Sequence, residues 1–430
     1  MTTLTQHTER RKVLSWAFYD WANSAFATTV MAGFFPLFFK EYWSAGNSAS
    51  VSTFQLGAAN SLASIVIVVL APVLGSIADR GGAKKRHLVF FAAMGVVMTG
   101  ALYLVARGAW QHAVFLYIMA VIGFSGSNIF YDSLIVSVSS EERLDEVSAL
   151  GFALGYLGGG LLFAVNVAMT LWPHLFGLAD AGQAVRVSFV SVAIWWAVFS
   201  IPIIVWVPEP KLAGVVTGWA AVRGGFRQLR ETFRHLRQLR VVMLFLAAYW
   251  LYIDGVDTIV RMAVDYGIAL GFNTNSLILA LLITQFVGFP AAIGFGMLGR
   301  RIGAKSAVLI GIAVYIGVTV FGYFMQETWE FYVLAIVVGL VQGGVQSLSR
   351  SLYARIIPAT KAAEFFGFYN MLGKFAAVLG PLLMGIVSVV TGSARASILS
   401  VVVLFAVGGV LLYRVDETAG TRMARDLERV

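Results

Sequence analysis

Four charged residues share one face of an otherwise apolar segment in the middle of the chain. The segment 241–268 carries Asp254, Asp257, Arg261 and Asp265. At ~100° per residue their side chains fall within about 100° of arc on one helix face. A charge at the centre of a bilayer costs from ~2.5 to more than 10 kcal/mol unless it meets water or a partner. The stripe therefore predicts that these charged residues face a water-filled cavity or a charged partner on another helix, where they could bind a solute or a proton.

Two kinds of chemistry fit these residues. A zwitterionic solute needs an anionic and a cationic partner at once, and Asp254 and Asp257 with Arg261 supply both, with Lys374 as a second cation. A carboxylate that moves between wet and dry surroundings changes its proton affinity, so either aspartate could carry a coupling proton. The alternative is a structural salt bridge, Asp257 with Arg261 or Asp254 with Lys374, that only neutralises buried charge.

The composition places these residues in a membrane. The chain has 430 residues, of which 59% are hydrophobic and 12% charged, and its mean hydropathy is +0.81. Soluble domains average ~45–50% apolar and ~25% charged residues. Cysteine is absent, which excludes disulfides and catalytic thiols. No phosphate-binding Gly-x4-Gly-Lys loop and no hydrolase constellation occurs, so we expect no enzyme, no cofactor and no metal ion.

Twelve apolar runs are long enough to cross a bilayer at ~20 residues each. They predict an all-α integral membrane protein with twelve transmembrane helices in two six-helix bundles. The predicted domains are 1–207 for the first bundle, 208–240 for a basic linker, 241–413 for the second bundle and 414–430 for a tail. The spans are 14–39, 54–78, 87–106, 112–138, 147–171, 186–207, 241–268, 276–298, 304–325, 330–353, 364–390 and 394–413.

Positive charge sets the orientation. Only Lys40, Arg107, Arg186 and Arg395 lie in one set of loops, whereas most of the 31 Lys and Arg residues lie in the other. Basic loops stay in the cytoplasm, so both termini are predicted to be cytoplasmic, in a bacterial inner membrane. The net charge of +9 then indicates contact with membrane lipid and not with nucleic acid. The Arg-rich part of the linker, 223–240, fits either an amphipathic surface helix or a solvated tether.

Polar residues mark four of the spans as the walls of a shared cavity. Spans one, four and ten carry polar side chains at helical spacing, as span seven does. We therefore expect these residues to contact a small-molecule solute and to take part in proton coupling. For each neutral polar residue considered alone, the alternative is a hydrogen bond between helices. The candidates outside span seven are Asp20, Asn23, Asp132, Gln342 and Gln346, with Lys374 in span eleven.

One loop resembles the signature of the major facilitator superfamily between its second and third spans. It reads Gly75-Ser-Ile-Ala-Asp-Arg-Gly-Gly-Ala-Lys-Lys85, and departs from the signature at Ala83. A weaker copy follows span eight, with Arg300 in place of the acidic residue. The resemblance implies a gating role for Asp79 and Arg80, to which we add Arg350 at the inner end of span ten.

Further motifs are similar to the autophagy-associated vacuolar effluxer-like family and its bacterial relatives. They lie at 16–26, 252–258, 342–351 and 364–369, which covers nearly the whole chain. The resemblance implies solute transport by alternating access, and its yeast-type members imply amino-acid export. We expect a secondary active transporter of a small polar, amino-acid-like solute. Two alternatives stay open: a lipid-handling membrane protein and a non-transporting solute sensor.

Overall fold

The fold consists of long helices that follow the predicted spans. The computed structural model describes residues 3–46, 49–81, 83–208 and 239–428, and this part of the chain is helical without strands. In the first half, α1 is Thr3–Ala25 with the extensions Phe26–Phe34, Phe35–Phe38 and Phe39–Trp43, and it is followed by α2 Ala49–Gly81, α3 Lys84–Ala101, α4 Trp110–Ser133, α5 Leu144–Leu171 and α6 Ala181–Trp206. In the second half, α7 is Arg240–Ala269, α8 Thr274–Ile302, α9 Ala304–Phe324, α10 Thr328–Ile356, α11 Ala362–Thr391 and α12 Val401–Tyr413, with a short Ala394–Leu399 before it.

Each of the twelve predicted spans coincides with one of these helices. Eleven helices of the described residues are long and apolar enough to cross a membrane. The other, α11, is a continuous helix of 30 residues and is therefore also long enough to cross a bilayer. Its described apolar stretch is Leu379–Thr391. The predicted fold class, twelve transmembrane helices in two six-helix bundles, is confirmed. The linker residues 209–238, for which the sequence fits either a surface helix or a solvated tether, lie outside the described residues.

Part of α1 departs from α-helical geometry. Residues Phe26–Phe34 form a π-helix, in which each backbone hydrogen bond spans one residue more than in an α-helix. Such segments are rare and often lie at functional sites. This one follows directly after the polar residues Asp20 and Asn23, so the irregularity sits where α1 passes the space between the bundles.

Glycines let the two bundles touch closely where α2 crosses α11. A Cβ on Gly75 would overlap the backbone carbonyl of Ala363, and one on Gly367 would lie 2.6 Å from the carbonyl oxygen of Ala71. Both contacts involve main chain on the other side, so no side chain can move to make room. The second pair of helices that joins the bundles is α5 with α8. These crossings hold the bundles together at the end that carries Lys84, Arg300 and Arg355, here called the basic end.

Ion pairs between the bundles lie at the same end. Arg355 in α10 meets Asp145 in α5 at 2.7 Å, and its other nitrogen lies 3.3 Å from Glu417. Arg300 in α8 meets Glu146 at 2.5 Å. The basic end is thus closed by charge as well as by packing.

The predicted tail is an ordered helix. Glu417–Glu428 forms α13, and the carboxylate of Asp416 accepts a hydrogen bond from Ala419 N at its start. Arg425 pairs with Glu141 of the first bundle at 2.6 Å, and the Glu428 carboxylate accepts from Ala359 N of the second at 2.5 Å. The helix therefore bridges both bundles across the basic end, a role that its high charge concealed in the sequence.

A larger side chain at Gly75 should force the basic end open. We expect Gly75→Val to expose a cysteine placed at Ser347, which is fully buried at that end, to a maleimide that crosses membranes. The parent protein has no cysteine, so the label reports this position alone.

The matched control is Gly57→Val on the same helix, because a Cβ there would have nothing within 4 Å. Its labelling at position 347 should equal that of the S347C parent. Equal labelling in the Gly75→Val protein would show that this crossing does not keep the basic end closed.

Candidate functional site

A polar cavity of about 380 Å³ lies between the two bundles. Its wall is built from α1, α4 and α5 on one side and α7, α8, α10 and α11 on the other. The polar residues that line it, tyrosines included, are Asp20, Asn23, Ser24, Thr28, Asn128, Tyr131, Asp132, Tyr156, Tyr249, Asp257, Gln285, Gln342, Gln346, Arg350, Tyr369 and Asn370. The four predicted spans do border this cavity, and α5, α8 and α11 border it as well.

The guanidinium of Arg350 crosses from the second bundle into the first. Its Nη1 lies 3.0 Å from Asp132 Oδ1 in α4 and 3.6 Å from Asp20 Oδ2 in α1. Its Nε and Nη2 donate to Ser148 Oγ and Ser148 O in α5, both at 2.9 Å. Arg350 is only 2% exposed. Three helices of the first bundle therefore supply the counter-charges and hydrogen-bond acceptors for one buried cation of the second. This contact stabilises the folded protein only when every partner is in place.

Aromatic rings complete the surroundings of this guanidinium. It lies 4.4 Å from the ring centre of Phe152 and 4.9 Å from that of Trp16. Trp16 is held in turn by a hydrogen bond from its Nε1 to Tyr131 O. Gly151 leaves the necessary space, because a Cβ there would lie 2.7 Å from Tyr131 Oη and 3.0 Å from Arg350 Nη2. An arginine, with its flat and weakly hydrated cation, suits such a slot better than a lysine.

The two aspartates are also fixed by neutral donors. Tyr131 donates to Asp20 Oδ2 at 3.0 Å, and Asn370 of α11 donates to Asp132 Oδ2 at 3.0 Å. Asp132 thus has partners on both α10 and α11, which belong to the opposite bundle. The carboxylates of the first bundle and the polar groups of the second form one connected network.

Amides and tyrosines contribute further polar groups to the cavity wall. Asn23 donates to Asn128 Oδ1 at 2.6 Å, and Tyr156 donates to Gln346 Oε1 at 3.4 Å. Tyr249 of α7 and Tyr369 of α11 stack with ring centres 4.1 Å apart. Their hydroxyl and amide groups can donate and accept hydrogen bonds. The wall therefore suits a small polar ligand with an apolar part.

The acidic stripe of α7 divides into two environments. Asp257 lines the cavity, whereas Asp254, one turn earlier, is fully buried outside the lining. The carboxylate of Asp254 accepts from Leu379 N at 3.1 Å and Gly380 N at 3.0 Å, in the middle of α11. It also accepts from Thr258 Oγ1 at 3.3 Å. The structure thus places Asp254 against the backbone of α11 and Asp257 against the cavity.

The close approach at Asp254 depends on the sequence of α11. A Cβ on Gly380 would overlap Thr258 Oγ1, so only glycine fits there. The next residue is Pro381, which has no N–H and disturbs helical hydrogen bonding around it. A carboxylate bonded to two amides just before a proline is unusual within a helix. The stripe pattern predicted a polar environment for Asp254, but not a contact with backbone amides of α11.

Asp79 connects α2 to the beginning of α11. Its carboxylate accepts from Ala363 N at 3.1 Å and Glu364 N at 2.7 Å, and Lys84 lies 2.8 Å away. The first amides of a helix have no partner within the helix and attract negative charge. The structure therefore places Asp79 in the contact between the bundles, while the side chain of Arg80 lies outside the described residues.

The other predicted site residues fall into two groups. Asp20, Asn23, Asp132, Gln342 and Gln346 line the cavity, as does Arg350, which had been assigned only to gating. The side chains of Arg261 and Lys374 lie outside the part of the chain that the structure describes.

Sequence reasoning missed the tyrosines, Ser148 and Asn370. Tyr369 is the last residue of the family motif at 364–369 and Asn370 follows it directly, and this was the available signal.

The sequence profile described as "Vacuole effluxer Atg22 like" matches residues 45–143 and 136–425, which covers most of the chain. The chain belongs to this family. An uncharacterized MFS-type transporter of Bacillus subtilis (strain 168), YxiO, is 39% identical over 420 residues, 96% of each chain. Autophagy-related protein 22 of Yarrowia lipolytica is 24% identical over 459 residues, 86% of this chain and 77% of that one. The predicted family is confirmed.

Solved structures agree on the fold. The human organic anion transporter MFSD10 (TETRAN) superimposes with a TM-score of 0.71 at 16% identity, over 94% of this chain and 99% of that one. The proton:xylose symporter XylE gives 0.68 at 14% identity, over 96% of both chains. The protein is thus a major facilitator transporter of the Atg22-like family and an integral multi-pass membrane protein.

Removal of the Arg350 charge should destabilise the folded protein. We expect Arg350→Gln to lower the free energy of unfolding by ~3–5 kcal/mol, because the buried Asp132 and the largely buried Asp20 lose their shared cation. The measurement is the melting temperature of the purified protein.

Arg300→Gln is the matched control, since it also removes an arginine that pairs between the bundles. The Arg300 side chain is 67% exposed. An exposed pair contributes ~0–1 kcal/mol. Equal melting temperatures for the two variants would refute a structural role for the buried pair.

Proposed function

We propose that this transporter moves a small zwitterionic, amino-acid-like solute by alternating access, coupled to protons. The observation that carries the proposal is the cavity wall in which Asp20 and Asp132 of one bundle meet Arg350 of the other. A solute that carries both an ammonium and a carboxylate can compete for both sides of this network. A neutral sugar can do so only through hydrogen bonds.

Size and lining support a small solute. The cavity of about 380 Å³ lies near the lower end of the ~300–1,000 Å³ typical of ligand pockets. Asp257 and the stacked Tyr249 and Tyr369 offer a carboxylate and apolar ring faces within the same space. An α-amino acid fits this combination, with its ammonium toward Asp257 and its carboxylate toward Arg350.

The position of Arg350 supports alternating access. The bundles cannot separate at the basic end without removing the guanidinium from Asp20, Asp132 and Ser148. A charge left buried and unpaired would be costly, so a bound solute carboxylate that replaces these partners lowers the barrier to opening. The solute thereby selects the conformation that releases it.

Asp254 is the candidate proton carrier. It is buried, and its carboxylate holds two amides of α11 that lie next to Pro381. Protonation would remove the charge that these amides stabilise and would leave an acid whose hydroxyl oxygen is a weak acceptor. The contact between α7 and α11 would then weaken, which links a proton to the movement of a helix that also lines the cavity.

Asp79 and Arg80 are proposed to gate the basic end. The contact of Asp79 with the first amides of α11 exists only while the bundles touch there. In this proposal the basic end faces the cytoplasm of a bacterial cell, and both termini lie on that side. The described conformation is then closed toward the cytoplasm.

Ligand stabilisation tests the solute class. We expect amino acids to raise the melting temperature of the purified protein more than the corresponding decarboxylated amines or deaminated acids do. A ligand at 100 times its Kd stabilises by about 2.7 kcal/mol. Asp257→Asn should lose this selectivity for a free ammonium. Stabilisation by sugars alone, or by amines and acids as strongly as by amino acids, would contradict a zwitterionic substrate.

Transport in vesicles tests the proton carrier. With the amino acid found in that screen, we expect Asp254→Asn to abolish accumulation driven by a pH gradient but to keep exchange down a concentration gradient. The asparagine cannot take up a proton, and its NH₂ group would face an amide donor of α11.

Thr258→Val is the control variant, because it removes the neighbouring hydroxyl and keeps the carboxylate. It should retain gradient-driven accumulation. Normal accumulation by Asp254→Asn would exclude this residue as the coupling site and would leave Asp20, Asp132 and Asp257 as candidates.

A further inference from the structure

A groove on the outer surface of the first bundle combines cations with an apolar floor. It lies between the start of α1 and the end of α6 and has a volume of about 730 Å³. Its polar part contains His7, Arg10 and Arg11, and its apolar part contains Phe18, Phe199 and Trp206. This groove is separate from the central cavity, with which it shares no lining residue.

The two arginines are available to a ligand. Arg10 and Arg11 are exposed, and neither has a carboxylate partner among the described residues. Lys12 differs, since it pairs with Glu9 at 2.7 Å. The guanidinium of Arg11 lies 4.2 Å from the ring centre of Trp206, which holds it over the groove. A stacked guanidinium keeps its N–H groups free to bind phosphate oxygens in its plane.

The groove changes from cationic to apolar over a short distance. Arg11, Leu14 and Phe18 follow one face of α1, and seven residues of helix span about 10 Å. Leu14 is 36% exposed and Trp206 40%, although both are hydrophobic. Phe18 and Phe199 stack below them with ring centres 6.4 Å apart. The same succession, from phosphate to hydrocarbon, occurs at the boundary of a lipid leaflet, where tryptophan is enriched.

We propose that this groove binds one phospholipid with an anionic headgroup from the leaflet at the basic end. The phosphate lies between Arg10 and Arg11, and an acyl chain runs along Leu14, Phe18 and Phe199. Charge argues against the chain's own linker as the occupant, because residues 209–238 contain six Lys and Arg residues but only Glu209 and Glu231 as acids. A bound lipid would connect α1, which lines the central cavity, to α6.

Native mass spectrometry of the purified full-length protein tests the site. The probes are phosphatidylglycerol and phosphatidylcholine with identical acyl chains, and the readout is the ratio of the two bound lipids. An arginine near an anionic lipid surface contributes about 1 kcal/mol, so R10Q/R11Q should lower the preference for phosphatidylglycerol by about 30-fold. Should that variant not survive purification, R11Q alone should lower it by about fivefold.

The matched control is R301Q/R414Q, which removes two exposed arginines of the basic end that lie outside the groove. It should keep the preference of the parent protein. An equal loss in both double variants would show general attraction to positive charge and overturn the site. Competition by soluble glycerol 3-phosphate as effective as by phosphatidylglycerol would assign the arginines to a free phosphate ester, which also overturns the proposal.

Discussion

The arrangement of the two bundles depends on one buried cation of the second bundle whose counter-charges all belong to the first bundle. Arg350 belongs to α10, but its charge is balanced by Asp20 and Asp132 and its N–H groups by Ser148, all in the first bundle. Desolvating a guanidinium is costly, and only the complete set of partners compensates for it. If the bundles were separated, Arg350 would lack a counter-charge in one bundle, and Asp20 and Asp132 would lack one in the other. This mutual dependence explains why polar residues that would destabilise an isolated bundle lie together between the two.

Helix α11 receives carboxylates from both bundles. Asp79 of α2 binds its first amides, and Asp254 of α7 binds amides just before Pro381. Gly75, Gly367 and Gly380 allow these contacts by leaving no Cβ at the crossings. A helix held at its start by one bundle and at its centre by the other must bend or tilt when the bundles move. The segment between these points carries Tyr369 and Asn370 of the cavity wall. In the proposed transport cycle, the same segment would therefore both move and contact the solute.

The sequence was sufficient for the helices and for most of the cavity, because both follow from hydropathy and from polar residues at helical spacing. Asp20, Asp132 and Gln346 were found in this way. It could not separate Asp254 from Asp257, since a shared face says nothing about which neighbouring helix comes closest to each residue. The partners of Arg350 could not be predicted either, because periodicity within one helix carries no information about contacts between segments 200 or more residues apart. The helix α13 was missed because its charges resemble those of a solvated tail.

The exposed ion pairs that bridge the bundles have a consequence for the cell. Arg300 with Glu146 and Arg425 with Glu141 are accessible to water, unlike the cluster around Arg350. Dissolved ions weaken such pairs, and the Debye length falls from ~10 Å at 0.1 M to ~3 Å at 1 M ionic strength. The balance between the two faces of the carrier should therefore shift with salt, which labelling of a buried cysteine at increasing KCl would reveal. A cell that loses water concentrates its ions, so the same weakening of these pairs should accompany osmotic stress.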